Sequence, residues 1–287
     1  MTDALYTALI AAAYVVIAPF IGGLLSGLDR RISARMQGRW GPPILQPFYD
    51  VLKLMQKENI VVRRSQNFYI YFFFVFIVFT GGLFFTGGDL LLVIFALTLA
   101  GIFFVLAAYK ASSPYSFLGA ERELIQMMSY EPMVLLSAVG MYLVTRSFFV
   151  SDIIRSDRLL ILYTPGLFVG FVTILAFKFR KSPFDLSASH HAHQELVRGV
   201  TTEFSGRTLA LIEVGHWYET VIVLGFAGLF FSPLPAPAVI GALAVWFLMI
   251  LVDNVFARVK WQLALAVGWI AAATLGMGNI LVVFFMR

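Results

Sequence analysis

About eight apolar segments, each long enough to cross a lipid bilayer, recur along this chain and limit its possible folds more than any other feature. A hydrophobic share of 60% and a mean hydropathy of +0.86 exceed what a soluble chain of 287 residues needs for its core. The sequence therefore predicts an all-α integral membrane protein whose residues 1–287 form a single polytopic domain. The segments fall at residues 4–28, 68–86, 90–109, 124–145, 160–179, 209–231, 239–256 and 262–285.

The charged residues gather in two connections between these segments, at about residues 29–67 and 180–207. Most of the 21 Lys and Arg residues lie in these connections or on their side of the membrane. Because positive residues are retained in the cytoplasm, we expect a multi-pass protein of the plasma membrane with cytoplasmic connections and both termini outside. The net charge of +5 is then explained by topology, and nucleic acid is not an expected partner. No basic residue precedes the first apolar segment, so we expect a retained helix there rather than a signal peptide.

The first connection contains apolar residues at helical spacing within residues 44–57, which predicts an amphipathic helix lying at the membrane interface. A helix or half-helix is also expected at residues 185–200. The chain has no cysteine. This excludes disulfides, thiolate zinc sites and Cys-ligated iron–sulfur clusters within the chain.

Several ionisable residues lie inside the apolar segments, where each costs at least ~2.5 kcal/mol and therefore requires a reason. In the sixth segment, Glu213, His216 and Glu219 follow one another at i, i+3 and i+6 and so share one side of a helix. Two interpretations stay open: a chain of protonatable groups that carries protons, or interhelical hydrogen-bond partners and snorkelling side chains. The residues are Glu131, Glu213, His216, Glu219 and Asp253.

Three histidines in the second connection, His190, His191 and His193, lie near Asp185 and Glu195. Imidazole and carboxylate groups can bind a transition metal. However, adjacent His190 and His191 point in different directions on a helix, and no further ligand motif is visible. We therefore predict no metal site, and we leave open a hydrogen-bonding or proton-entry role against surface packing.

Glu121 and Glu123 flank Arg122 at the start of the fourth apolar segment. Carboxylates in this position complement the dipole at a helix N-terminus. A helix-capping role and a functional role are equally open for this pair.

Three motifs together identify a family. The runs DRRISARMQGRWGP at residues 29–42 and LQPFYD at residues 45–50 resemble the first cytoplasmic connection of the large quinone-site membrane subunit of respiratory complex I. Gly119-Ala120 with the run SYE at 129–131 resembles that family's next segment. PFDL at 183–186, ELV at 195–197 and EFSG at 203–206 resemble its long connection.

Two departures point to a branch of this family. The His-rich stretch stands where complex I subunits carry acidic residues, and the connection after Pro43 is short. Both features resemble the homologous subunit of energy-converting, membrane-bound [NiFe] hydrogenases of the Ech type or their CO-oxidising relatives. His216 also stands about where complex I subunits have a Glu.

The resemblance implies a membrane subunit below a peripheral arm, in which hydrogenase large and small subunits hold a [NiFe] centre and iron–sulfur clusters and receive electrons from ferredoxin. It implies an antiporter-like membrane neighbour, and neither a cofactor nor a catalytic centre in this chain. The chain would couple proton reduction to translocation of H⁺ or Na⁺, and a discontinuous or bent helix is expected near Pro132. The implied coupling acids are Glu131, Glu195, Glu203 and Glu213. The implied docking and coupling segment includes Arg30, Arg35, Arg39, Trp40, Asp50, Asp185 and the three histidines.

Three other functions stay open at this point. One is the quinone-site membrane subunit of a complex I-type dehydrogenase. Another is a free-standing ion antiporter, which has similar carboxylates but does not need the two dense cytoplasmic motifs. The last is a passive membrane anchor, in which the intramembrane acids have no task.

Overall fold

The computed structural model describes residues 2–59, 64–184, 187, 196 and 198–286. These residues form α-helices, with one short 3₁₀ turn at Gly199–Thr201. Asp185, His190, His191, His193 and Glu195 lie outside the described residues, as does most of the helix expected at 185–200. The helices are α1 (Thr2–Met36), α2 (Gln46–Gln56), α3 (Arg64–Phe85), α4 (Leu90–Tyr109), α5 (Pro114–Thr145), α6 (Val150–Arg155), α7 (Leu160–Tyr163), α8 (Pro165–Lys178), α9 (Gly206–Leu229), α10 (Pro235–Val255), α11 (Trp261–Ala271) and α12 (Met277–Phe285).

Seven helices of the described residues are long and apolar enough to cross a membrane. They are α1, α3, α4, α5, α9, α10 and the continuous run Trp261–Phe285. The remaining predicted segment, residues 160–179, is divided into α7 and α8 at Thr164. Pro165 is the first residue of α8, where its missing N–H is tolerated but where it cannot continue a preceding helix. The 14 residues of α8 span only ~21 Å. The all-α membrane fold is thus confirmed, with one apolar helix shorter than expected.

Two helices extend further than the apolar pattern indicates. α1 continues to Met36, so residues 29–36 of the expected first connection are helical. α5 begins at Pro114 and places Glu121 and Glu123 in its interior. The capping interpretation of this pair is therefore wrong, because neither residue is at a helix N-terminus. The amphipathic helix expected at 44–57 is present as α2.

The described helices pack into two compact units. In the first unit, glycines of α1 allow two other elements to approach its backbone. A Cβ on Gly27 would lie 1.8 Å from the carbonyl oxygen of Ile44, and one on Gly22 would lie 2.5 Å from the carbonyl oxygen of Trp217. The ring of Trp217 on α9 packs against the ring of Phe48 on α2, with centroids 5.2 Å apart, so these two helices are in contact. This unit comprises Met1–Gly82, Ala96–Leu124 and Asp185–Val221.

The second unit centres on Met133 of α5, which is fully buried. A Cβ on Gly170 of α8 would lie 2.4 Å from Met133 Cε, and one on Gly276 would lie 3.1 Å from its Sδ. Gly276 ends a π-helical segment, Ala272–Gly276, that interrupts the last span. α5 itself continues through Pro132, so this helix is not discontinuous there. This unit comprises Leu83–Phe95, Ile125–Phe184 and Ile222–Arg287.

Candidate functional site

His216 and Glu219 lie within hydrogen-bond distance of each other on α9, with Nδ1 and Oε2 3.2 Å apart. Their side chains are only 23% and 14% exposed. The rings of Phe73 and Phe104 approach the imidazole edge-on, with centroids 5.9 and 5.7 Å away. The pair therefore lies in apolar surroundings, where an electrostatic interaction is screened less than in water.

The local sequence explains why the aromatic rings reach this position. Gly215 precedes His216, and a Cβ there would lie 2.7 Å from the ring of Phe73. Glycine at this position therefore lets the ring of Phe73 pack closely against α9. Glu213, one turn before His216, is half-buried. The i, i+3, i+6 spacing thus brings His216 and Glu219 into contact. Glu213 lies on the same side of α9, one turn before His216.

Glu123 is a second buried acid, only 6% exposed. The hydroxyl of Ser187 donates a hydrogen bond to its Oε2. The carbonyl of Ser187 in turn accepts a hydrogen bond from the backbone N–H of Val200 at 3.1 Å. Because a Cβ on Gly119 would lie 2.4 Å from Val200 N, only glycine lets the second connection pack this closely on α5.

Glu203 is half-buried beside this packing. The next residue, Phe204, is buried, and its ring lies parallel to that of Phe104 at 6.5 Å. Since Phe104 also contacts the imidazole of His216, the ring of Phe104 lies between the EFSG motif and the His216–Glu219 pair. The residue that follows Glu203 thus belongs to the aromatic packing around His216.

Gln66 of α3 is a buried polar residue that the hydropathy pattern did not reveal. Its side chain is 1% exposed, and neither amide atom makes a hydrogen bond with the described residues. Leaving such a group unsatisfied costs about 1–3 kcal/mol, so it is a position for a bound water or another polar group. Gln66 lies on the same face of α3 as Ile70 and Phe73. A lone amide on an otherwise apolar helical face is the signal that identifies it in the sequence.

In the second unit, Glu131 is half-buried, and its Oε1 is shielded from the surface. The preceding residue, Tyr130, accepts a hydrogen bond from Lys178 Nζ at 3.1 Å, and this ammonium lies 4.6 Å from the centre of the Tyr130 ring. A cation is therefore held next to the residue that precedes Glu131, although sequence alone did not pair these segments.

Asp253 has a well-defined partner. Its Oδ1 accepts the backbone N–H of Ser182 at 2.9 Å, and its Oδ2 lies 3.4 Å from Lys181 Nζ. The cation beside Asp253 thus comes from the segment that follows α8. This pairing fits a structural role in holding the start of the second connection.

The proposed docking residues meet where α1 ends and α2 begins. Arg30 Nη1 lies 2.9 Å from Asp50 Oδ2, which ties α1 to α2. The guanidinium of Arg35 lies 4.2 Å from the ring centroid of Trp40, and that indole is 87% exposed. Arg39 donates to the side-chain oxygen of Gln37. We call this set the basic–aromatic surface; it comprises Arg30, Arg35, Arg39, Trp40 and Asp50.

Within the part of the chain that the structure describes, no group of three or more His, Asp or Glu residues could hold a metal ion. The three histidines of the second connection lie outside that part. The described part of the first unit instead offers protonatable groups. They are the His216–Glu219 pair, the buried acid Glu123 and the half-buried acids Glu203 and Glu213.

Membrane-length helices with ionisable groups inside them define the chain as a multi-pass membrane protein. Residues 8–284 match the NADH dehydrogenase family, and the chain belongs to it. It is 31% identical to an NADH-quinone oxidoreductase subunit of Syntrophotalea carbinolica, over 96% of this chain and 91% of that one. It is 29% identical to Hydrogenase-4 component C of Escherichia coli, over 92% of each chain.

The fold is also known from a solved structure. A chain of the membrane-bound sulfane sulfur reductase, an archaeal respiratory membrane complex, superposes with a TM-score of 0.83. That likeness covers 95% of this chain and 99% of the other, at 24% identity. The chain is therefore a complex I-like membrane subunit of an oxidoreductase complex, related to hydrogenase subunits, and the resemblance seen in its motifs is confirmed.

Proposed function

We propose that this chain is the membrane subunit of a ferredoxin-dependent, ion-translocating [NiFe] hydrogenase complex of the Ech type. It docks the peripheral redox arm and couples proton reduction to translocation of H⁺ or Na⁺. The observation that carries this proposal is the His216–Glu219 pair, 3.2 Å apart inside an apolar helix of membrane-spanning length. Ionisable groups are costly there, and a path for charge is a physical reason to keep them.

The redox centres belong to partner subunits in this proposal. The chain has no cysteine, and cysteine thiolates are the usual ligands of iron–sulfur clusters. Hydrogenase large and small subunits would hold the [NiFe] centre and the clusters, and ferredoxin would reach the complex through them. An antiporter-like membrane subunit would receive the translocated ion.

The basic–aromatic surface supports the docking part of the proposal. Trp40 is almost fully exposed and is held in place by Arg35. Tryptophan and arginine are the residues most enriched where protein partners bind. Under the positive-inside bias, this surface and both connections face the cytoplasm, with both termini outside.

The coupling step follows from electrostatics. A charge that arrives in the peripheral arm changes the potential at the second connection, where Glu195 and Glu203 lie. A proton or coupled ion then passes to Glu213 and the His216–Glu219 pair, and Glu131 is a further acid of the proposed path. Imidazole and carboxylate 3.2 Å apart are within the range over which a proton can be exchanged directly or through one water. Asp253 is the weakest member of this path because Lys181 already neutralises it.

A second candidate is the quinone-site membrane subunit of a complex I-type dehydrogenase. The relative in Syntrophotalea carbinolica is named as a subunit of NADH-quinone oxidoreductase, and its 31% identity is similar to the 29% shared with Hydrogenase-4 component C. Both candidates use the same docking surface and the same acids. They differ in the partner subunits and in the electron acceptor.

Purification of the affinity-tagged chain from its native membranes separates these candidates. We expect hydrogenase large and small subunits to co-purify, and the membranes to evolve hydrogen from reduced ferredoxin. Quinone reduction without hydrogen evolution would favour the dehydrogenase. A chain that purifies alone and exchanges ions in liposomes would instead indicate a free-standing antiporter.

A further inference from the structure

A cavity of about 520 Å³ opens beside the C-terminal end of α5, where the chain turns through α6 toward α7. Its volume lies within the ~300–1,000 Å³ that is usual for small-molecule sites. Two arginines and two aspartates line it, together with smaller polar residues, so its charged side chains sum to zero. The four are Arg146, Arg158, Asp152 and Asp157.

The cavity lies at the level where several helices of the second unit end. The N–H of Leu90, the first residue of α4, donates to Phe148 O at 2.8 Å, just after α5 ends. The N–H of Ile161 donates to Phe230 O at 2.8 Å, just after α9 ends. For helices that span a membrane, this level is the headgroup region. Exposed apolar side chains flank the cavity along the chain, at Phe149, Ile154, Leu162 and Tyr163.

Two of the four charged groups already have local partners. Asp152 accepts a hydrogen bond from Ser147 Oγ at 2.6 Å. Arg158 donates to Val144 O at 3.4 Å, and its guanidinium lies 5.9 Å from the ring centroid of Tyr163. These contacts fix the orientation of the two side chains at the rim of the cavity.

The other two charged groups make no hydrogen bond or ion pair with the described residues through their side chains. Arg146 ends α5 in the left-handed conformation, with a φ of 67°, and is exposed. Asp157 is exposed in the loop before α7. One cavity thus presents an available guanidinium and an available carboxylate that do not pair with each other.

We propose that this cavity binds the headgroup of a zwitterionic phospholipid that has a phosphodiester and a primary ammonium. The phosphodiester contacts the guanidinium of Arg146, with Arg158 in support, through charge-assisted hydrogen bonds. The ammonium contacts the carboxylate of Asp157. The acyl chains lie against the flanking apolar side chains.

Because two arginines and two aspartates line the cavity, it favours a zwitterionic headgroup. A purely anionic headgroup would meet two carboxylates, and a simple cation would meet two guanidiniums, so each is disfavoured by like charges. A zwitterion satisfies both signs at once. This site is independent of the proposed redox function, because none of its residues belongs to the ion path or to the basic–aromatic surface.

Lipid retention by the purified complex tests the proposal, measured by native mass spectrometry after addition of phosphatidylethanolamine or phosphatidylglycerol. We expect phosphatidylethanolamine to be retained about tenfold better, the effect of one charge-assisted hydrogen bond. Asp157→Asn should abolish this preference while phosphatidylglycerol is still retained, and Arg146→Gln should lower retention of both lipids. Arg155→Gln, which changes an exposed arginine outside the cavity lining, is the matched control and should behave as wild type.

Soluble O-phosphoethanolamine and inorganic phosphate distinguish a lipid from a free phosphate compound. Neither should displace the retained lipid at concentrations comparable to that of the lipid, because neither has acyl chains to bury. Displacement by either would overturn the assignment to a lipid. Equal retention of the two lipids by wild type, or equal effects of Arg146→Gln and Arg155→Gln, would overturn the site itself.

Discussion

The hydroxyl of Ser187 donates a hydrogen bond to Oε2 of Glu123, which joins the second connection to the interior of α5 across 64 residues of sequence. Glu123 is only 6% exposed, so this bond is shielded from water. In the proposed function the second connection faces the redox arm, and a buried acid in contact with it is then well placed to respond to charge arriving there. We therefore expect Glu123 to take part in coupling.

Glu123→Gln tests this role, because glutamine keeps the shape and can still accept the hydrogen bond from Ser187 but cannot take up a proton. Ion translocation should fall at least ~100-fold, the usual contribution of a positioned proton-transfer group. Hydrogenase activity with an artificial electron donor should be retained. Glu121→Gln is the matched control, since Glu121 is exposed on the same helix. Equal translocation in both variants would remove Glu123 from the path.

The basic–aromatic surface gives a second prediction. Trp40→Ala removes an indole that is 87% exposed and therefore contributes little to the fold. We expect the recovery of peripheral subunits with the tagged chain to fall by at least ~10-fold, because exposed tryptophans of this kind are typical hot spots for protein binding. Trp269→Ala, at an exposed tryptophan of α11, should leave recovery unchanged. Full recovery with Trp40→Ala would show that the arm docks elsewhere.

Orientation in the membrane is tested by labelling, and the absence of cysteine makes the chain a clean background. The variant Lys57→Cys, with its thiol just after α2, should react with a membrane-impermeant maleimide only from the cytoplasmic side. The variant Arg155→Cys, with its thiol at the end of α6, should react only from the outside. These outcomes follow from the excess of positive residues near the two connections. The reverse pattern would place the basic–aromatic surface outside and contradict docking of a cytoplasmic redox arm.

Close packing of α5 on the second connection predicts a stability effect. A Cβ on Gly119 would lie 2.4 Å from Val200 N and 2.5 Å from Gly199 C, which are backbone atoms that cannot rotate away. Gly119→Ala should destabilise the protein by about 1–3 kcal/mol, as overpacking usually does. Gly278→Ala is the control, because nothing lies within 4 Å of its added methyl group. Equal thermal unfolding temperatures of the two variants in detergent would contradict this packing.

Much of the fold could be predicted from hydropathy, because each membrane span must satisfy its own backbone hydrogen bonds and therefore appears as a long apolar helix. The residues at which helices begin and end were harder to predict. α1 continues to Met36 and α5 starts at Pro114, because helices extend past the apolar region where polar residues still favour helix. The apolar segment at residues 160–179 predicts a full membrane span, but Pro165 starts a new helix within this segment.

The candidate site shows the same limits of sequence reasoning. The spacing of His216 and Glu219 predicts that they share one side of a helix, and residues three apart on a helix are neighbours, as the structure shows for this pair. The bond between Ser187 and Glu123, and the pairing of Asp253 with Lys181, depend on tertiary packing that no local pattern reports. Gln66 was detectable as an isolated amide on an apolar face, but only its burial shows that the described residues leave it without a hydrogen bond.

Ion translocation in inverted membrane vesicles tests whether the intramembrane acids carry the translocated charge, with Glu213→Gln and Glu131→Gln complexes compared with wild type and the Glu121→Gln control. All four should evolve hydrogen at similar rates from an artificial donor, because the proposed function places the redox centres in the partner subunits. We expect ferredoxin-driven ion uptake to be abolished in Glu213→Gln and Glu131→Gln and to be retained in the other two. Unchanged uptake in both variants would show that charge crosses the membrane without Glu213 and Glu131.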